Sequence, residues 1–433
     1  MNYYSTNKSV PEVSLKEAVI KGLADDKGLF MPERIEAFPK SFFETIHQLS
    51  FQEISFEVAK KFFGEDVPEA DLKKLVDDTL NFDCPVVHVN DNIFSLELFH
   101  GPTLAFKDVG GRFMARLLAY FLEGNDQQVN VLVATSGDTG SAVANGFLGV
   151  PRIHVYVLYP KGLVSEIQEK QFTTLGQNIT AIEVEGTFDD CQRLVKAAFL
   201  DKQLKTGLTL TSANSINVAR FLPQAFYYFN AYARLRERGV NEDIVISVPS
   251  GNFGNLTAGL FAKKMGLPIK RFIAANNEND IVYNYLKTGK YEPRASVATI
   301  ANAMDVGDPS NFARILDLYD HSHAAIQAEI TGYRYSNSEI KDVLNEVYHK
   351  YGYLTDPHGA TGYKALDESL LDGETGVFLE TAHPAKFTET VEKIIGVGKV
   401  PLPEKLAEFM KGEKLSIPLS KEFDDFRAFL LQQ

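Results

Sequence analysis

The sequence predicts an α/β fold: two sheet domains of parallel strands, preceded by a helical region. Three observations predict it. Helical apolar stripes with capping signatures fill the first eighty or so residues. From Cys84-Pro85 onward, short β-branched runs alternate with amphipathic stretches, the pattern of parallel strands covered by helices on both faces. Loops rich in Gly, Ser, Thr and Asn then join strand to helix at several points. At 433 residues, 45% of them hydrophobic, the chain is long enough for two or three cores.

In the N-terminal region, Ser14 and Glu17 have the spacing of a capping box ahead of Leu15, Ala18, Val19 and Leu23. Ser50 and Glu53 repeat it before Ile54, Val58 and Phe62, and Leu72, Leu75, Val76 and Leu80 form a further stripe. This predicts a helical domain over residues 1–85. Strand-like runs follow at 131–133, 153–158, 179–184 and 208–211, with a helical pattern at 187–200. They make a small α/β domain over 126–210. Runs at 244–248, 271–274 and 376–380, with a helical stretch at 218–236, predict a larger sheet domain assembled from 86–125 and 211–433.

Net charge is −13, spread along the chain. It argues against nucleic acid or an anionic membrane as partner and requires any phosphorylated ligand to be held by a local positive site. No run approaches the ~18 apolar residues of a membrane span. The opening residues have neither a basic n-region nor an apolar h-region, and Cys84 and Cys191 form no disulfide framework or metal spacing. The expectation is a cytoplasmic protein with no obligate protein partner.

Three segments carry chemistry. Pro249-Ser250-Gly251-Asn252-Phe253-Gly254-Asn255 follows a strand and opens a helix, so its backbone amides and the helix dipole suit a phosphate; an ordinary glycine turn is the competing reading. No G-x-x-x-x-G-K-[ST] or strand-linked G-x-G-x-x-G is present, which excludes the common nucleotide loops. Lys107, after Gly101-Pro102-Thr103-Leu104-Ala105-Phe106, stands at a predicted helix start, where the dipole disfavours an ammonium. Desolvation or covalent use of the amine explains the misfit; a lysine snorkelling to solvent is the alternative. Thr135-Ser136-Gly137-Asp138-Thr139-Gly140 joins another strand to a helix and suits a small carboxylate, or is a plain capped turn.

Together these segments resemble the threonine synthases, within the tryptophan-synthase-β-like (fold type II) pyridoxal-phosphate enzymes. Ser212-Ala213-Asn214-Ser215-Ile216-Asn217, Ala303-Met304-Asp305-Val306 and Thr381-Ala382-His383-Pro384-Ala385-Lys386-Phe387 follow in the family order. Gly22-Leu23-Ala24-Asp25-Asp26-Lys27-Gly28-Leu29-Phe30 resembles the N-terminal domain of the long bacterial and fungal type. The resemblance implies that Lys107 carries pyridoxal 5'-phosphate (PLP) as a Schiff base. Gly251, Asn252, Phe253, Gly254 and Asn255 would cradle the cofactor phosphate, and Thr381 would face the pyridine nitrogen. Ser136, Gly137, Asp138 and Thr139 would receive the substrate carboxylate, with Asn217 and Arg220 near the substrate and Arg220 on its phosphate. The implied reaction turns O-phospho-L-homoserine and water into L-threonine and phosphate. Asp138 departs from the Asn of many fold type II enzymes, and an ionised Asp cannot donate to the cofactor O3′. A phospho-lyase releasing 2-oxobutyrate on the same scaffold, a catalytically silent anion-binding paralogue, and a metallohydrolase using His321, His323 or His383 are the rival readings. The histidines have no convincing ligand set, so no metal is expected.

Overall fold

The structure, a computed structural model, describes residues 1–124 and 128–432. The domain boundary expected at 125/126 lies outside them. The chain forms two compact units: one of Met1, Met31–Phe106 and Phe221–Pro401, the other of Asn2–Phe30, Lys107–Arg220 and Leu402–Gln433.

The first unit is built on a six-stranded sheet in the order Ile330–Arg334, Arg271–Asn276, Asp243–Pro249, Glu374–Glu380, Ile93–Glu97, Val86–Asn90. The first five strands are parallel. The sixth, at the sheet edge, runs antiparallel to its neighbour. Asp91 and Asn92 make the two-residue hairpin turn, Asp91 with φ of 37°, a conformation that Asp and Asn tolerate well. Asp243–Pro249 is buried beyond its first residue, which is why it reads as a near-continuous apolar run, and Glu374–Glu380 is buried throughout, its two end glutamates included. The helix Pro357–Asp367 packs on both of these strands. Helices Phe51–Phe63 and Glu69–Thr79 pack on each other, and the first also meets Ala225–Glu237, so these predicted helices share the core of the large sheet. The Ser50/Glu53 capping box is present in full.

The second unit holds a five-stranded parallel sheet in the order Ile417–Leu419, Ile179–Val184, Ile153–Pro160, Val129–Ala134, Thr209–Ser212. Its outermost strand comes from the C-terminal tail. Three residues with a central proline give too weak a strand signal to be read in sequence, and an edge is where such a strand is tolerated. Phe426 and Leu430 of the tail helix Phe423–Leu431 close the same core, beside Leu132, Ile182 and Cys191. At the N-terminus, Asn2–Ser5 and Val13–Ser14 form an antiparallel pair where helices were expected. Ser14 does cap Leu15–Lys21, accepting from Glu17 N, but the Glu17 carboxylate turns to Lys21 at 3.0 Å instead of closing the box. Helix Lys107–Leu122 lies against Asp138–Phe147 so closely that a Cβ on Gly111 would sit 2.8 Å from the Ala142 carbonyl oxygen.

The helical stretch expected at 218–236 is interrupted. Val218–Phe221 is followed by a 3-10 turn, Leu222–Gln224, and then Ala225–Glu237. Pro223, with no N–H and a ring that crowds the preceding turn, accounts for the break. Among the described residues, no helix is long and apolar enough to cross a membrane.

Candidate active site

Residues 101–106 are threaded onto the segment that follows Glu374–Glu380. Phe106 N–H donates to the Thr381 carbonyl (2.8 Å) and His383 N–H to the Leu104 carbonyl (3.0 Å), with Ala105 and Ala382 bridged antiparallel. Leu104 takes a positive φ of 55° to make this possible. Lys386, almost wholly buried, donates its ammonium to the Thr103 carbonyl at 2.9 Å, and the Tyr227 hydroxyl donates to the Phe106 carbonyl. Both backbone groups of Phe106 are thereby fixed. Lys107 is the next residue, one Cα–Cα step of ~3.8 Å away, and opens its helix half-buried. The sequence placed Phe106 and Thr381 in separate motifs; one hydrogen bond joins their backbones.

The predicted phosphate loop leaves the neighbouring strand Asp243–Pro249 at the same end of the sheet, where ligands of open α/β sheets bind. Ser250 N–H is held by the Ala275 carbonyl at 2.8 Å, and the Asn252 side-chain oxygen accepts from Ser310 N–H at 2.6 Å. Phe253 has φ of 60°, and this left-handed residue swings the chain into helix Gly254–Lys264. The first helical closure is Thr257 N–H to the Phe253 carbonyl, so the N–H groups of Gly254, Asn255 and Leu256 have no partner within the helix. Asn255 lends its side-chain oxygen to the Tyr228 hydroxyl (2.8 Å), while its buried Nδ2 has no hydrogen-bond partner. A buried donor without an acceptor, beside first-turn amides and the positive end of an eleven-residue helix, fits a phosphate group such as that of PLP.

In the second unit, residues 135–139 and 213–220 follow the ends of the adjacent parallel strands Val129–Ala134 and Thr209–Ser212. Thr135 Oγ1 accepts from Gly137 N (2.9 Å) and Gly140 N (2.8 Å), shaping the turn from within. Gly137, with φ of 142°, has no space for a side chain: its Cβ would meet the Gln168 amide at 2.6–2.7 Å. Ser136 and Thr139 are half-buried. Asp138 Oδ1 accepts from Gln168 Nε2 at 2.9 Å, so this carboxylate braces the turn. Asn217 is fully buried; its Nδ2 donates to the Val19 and Ser212 carbonyls and its oxygen accepts from Ala219 N–H. That amide is directed at its own backbone surroundings. Arg220 is 2% exposed and donates to the Ala213 carbonyl, so it is no surface ion-pair arginine.

The sequence reading missed a set of buried polar residues in the first unit. Glu380 is fully buried, accepts from the Thr355 hydroxyl, and is held well above the usual carboxylate range by burial and then by the Asp356 charge. Asp356 caps the helix Pro357–Asp367, and His358 lies beside it. The Asp-Pro pair is a helix-start signal that could have located them. His383 accepts from Ala385 N–H, and its pKa is pushed down to about 4, by burial first and by the neighbouring His100 second. The native state therefore binds fewer protons than the unfolded chain between pH 4 and 6.5, and this contribution is lost as pH falls through that window. Relative to a His383→Asn variant, which keeps the cap, the wild type should lose roughly 2 kcal/mol between pH 7.5 and pH 5 in denaturant titrations. Parallel pH profiles would contradict the assignment.

The chain also matches families of known proteins. Residues 85–380 match the family described as "Pyridoxal-phosphate dependent enzyme", residues 2–80 "Threonine synthase N terminus", and residues 359–430 "Threonine synthase, C-terminal". The protein is thus a PLP-dependent enzyme of the fold type II architecture. Threonine synthase from Serratia marcescens is 46% identical over the whole of this chain and 99% of its own. The crystal structure of threonine synthase from Escherichia coli matches with a TM-score of 0.93 at 44% identity, covering all of both chains. PLP-bound threonine synthase from Brucella melitensis matches at 0.92 and 36% identity, covering all of this chain and 99% of its own. The chain belongs to the threonine synthase family.

Proposed function

We propose that the chain converts O-phospho-L-homoserine and water into L-threonine and inorganic phosphate, in the cytoplasm, with PLP held on Lys107. The observation that carries this reading is the placement of Lys107 at a helix start immediately after Phe106, whose N–H is tied to Thr381. Bound PLP supplies an electron sink for a carbanion at the substrate Cα. Lys107 takes the proton from Cα and moves protons at the neighbouring carbons as phosphate leaves Cγ and water adds at Cβ. The amides of residues 251–255 anchor the cofactor phosphate: Gly251, Asn252 and Phe253 shape the turn, and Gly254 and Asn255 offer first-turn N–H groups. Thr381 would offer its hydroxyl to the ring nitrogen of the cofactor, a neutral partner in place of a carboxylate. Ser136, Gly137 and Thr139 bind the substrate carboxylate, with Asp138 holding the turn in shape. Asn217 keeps the segment before Arg220 in place, and Arg220 offers the substrate phosphate its planar fork.

Absorbance of bound cofactor, together with product analysis on O-phosphohomoserine, tests the proposal. Threonine and phosphate in equal amounts support it; 2-oxobutyrate as the product assigns the chain to elimination chemistry instead. Arg220→Lys retains charge and loses the bidentate geometry. It should lower kcat/KM for O-phosphohomoserine by on the order of 10-fold or more while leaving L-threonine binding nearly unchanged. Equal weakening of both ligands would assign Arg220 to the carboxylate or to folding.

A further inference from the structure

We propose that His358 is a positioning residue for the cofactor-phosphate loop, acting through the backbone of Ala303. The proposal rests on the reading of residues 251–255 as the phosphate cradle. His358 is 1% exposed, in the first turn of Pro357–Asp367. Its Nε2 lies 3.1 Å from Ala303 N and its Nδ1 lies 2.8 Å from Asp356 Oδ2. A backbone N–H can only donate, so Nε2 carries the lone pair and the proton sits on Nδ1, pointing at Asp356. The other Asp356 oxygen accepts from Gly359 N–H at 2.7 Å and fixes the carboxylate as the helix cap. The imidazole is therefore oriented from one side and aimed from the other.

What it aims at is the 3-10 turn Asn302–Met304. N–H groups at the start of so short a turn have no partner inside it, and the His358 lone pair satisfies that of Ala303. The carbonyl of the same residue backs the phosphate loop: a Cβ on Gly251 would lie 2.7 Å from Ala303 O and 3.0 Å from Met304 Cα. The loop thus rests on a peptide that His358 holds. The same helix start also reaches the other cofactor contact, because the Thr355 hydroxyl donates to Glu380, the residue before Thr381. A core histidine with a purely structural role would stabilise the apoenzyme and the PLP-loaded enzyme alike. A positioning residue stabilises the arrangement that PLP binding selects, and its loss appears as the cost of re-ordering the loop.

Three variants separate these cases. His358→Ala removes the acceptor and should weaken PLP binding, measured without substrate by equilibrium titration, by on the order of 10-fold, the cost of one part-buried donor left without its partner. kcat at saturating PLP should stay within a few-fold of wild type. His358→Gln, whose side-chain oxygen reaches the Nε2 position, should restore most of the affinity. Asp356→Asn keeps the cap but turns an N–H toward Nδ1, driving the ring proton to Nε2, and should weaken PLP binding as His358→Ala does. It also serves as the test should His358→Ala fail to fold. Hydrogen–deuterium exchange of the apoenzyme peptide spanning 299–306 should accelerate in both weakened variants. Gly254→Val acts as the control on the underlying reading. If it weakens PLP binding while His358→Ala and Asp356→Asn do not, the positioning role is overturned and the phosphate cradle stands. If none of the three changes the affinity, the cradle assignment itself fails. A lowered apoenzyme melting temperature with unchanged PLP affinity also overturns the proposal.

Discussion

Replacing Lys107 with alanine should abolish the borohydride-reducible PLP adduct and lower turnover by at least ~10²–10⁴-fold, the span associated with loss of a single acid/base group. The effect should exceed that range, because the same amine both holds the cofactor and moves the substrate protons. The structure makes the test a clean one. Lys107 is the first residue of its helix, and the bonds that fix the approach to it are made by the backbones of Leu104 and Phe106, which the substitution leaves in place. Alanine is also the better helix former, so secondary structure should be unchanged by circular dichroism. Addition of a small primary amine to the variant should recover part of the proton-transfer activity. Near-normal turnover in Lys107→Ala would remove the amine from the mechanism altogether.

Gly254→Val should weaken PLP binding by on the order of 10–100-fold, with a smaller change in kcat once the cofactor is saturating. Gly254 is buried and begins the helix directly after left-handed Phe253, so a β-branched side chain intrudes where first-turn N–H groups would meet the phosphate. Each charge-assisted bond lost there is worth about 1.5–3 kcal/mol, which sets the scale of the change in affinity. Fluorescence titration of the apoenzyme with PLP reads the effect directly. An unaltered dissociation constant would move the phosphate elsewhere.

The parts of the molecule visible in sequence are those whose signal is local. The runs at 153–158 and 179–184 were legible as strands because most of their positions are buried and apolar, and the Ser50/Glu53 box was legible as a helix start because both partners lie within one turn. Non-local pairing was out of reach. Ile417–Leu419 has no strand signature of its own and exists because Ile179–Val184 offers it an open edge. The antiparallel hairpin at 86–97 was hidden behind the parallel pattern of its neighbours. At the candidate site, the motif residues stood out by type and spacing. The contacts that shape it, such as Lys386 on Thr103 and Gln168 on Asp138, did not, since each spans a sequence distance that no periodicity records. Arg220 stood in a motif, yet its burial could not be read from a pattern that fits a surface helix equally well.

The five-stranded sheet of the second unit has a consequence for how the chain is made. Its edge strand and the two tail residues that seal its core are translated well after the four strands they complete. Throughout synthesis of the intervening segment, Ile179–Val184 has an unpaired edge and the apolar positions facing Phe426 and Leu430 stand open. Nascent chains at that stage carry the kind of exposed strand edge that recruits other strands, an aggregation hazard. A stop codon just before the tail would prolong that interval indefinitely, leaving every candidate site residue encoded and the product prone to aggregate.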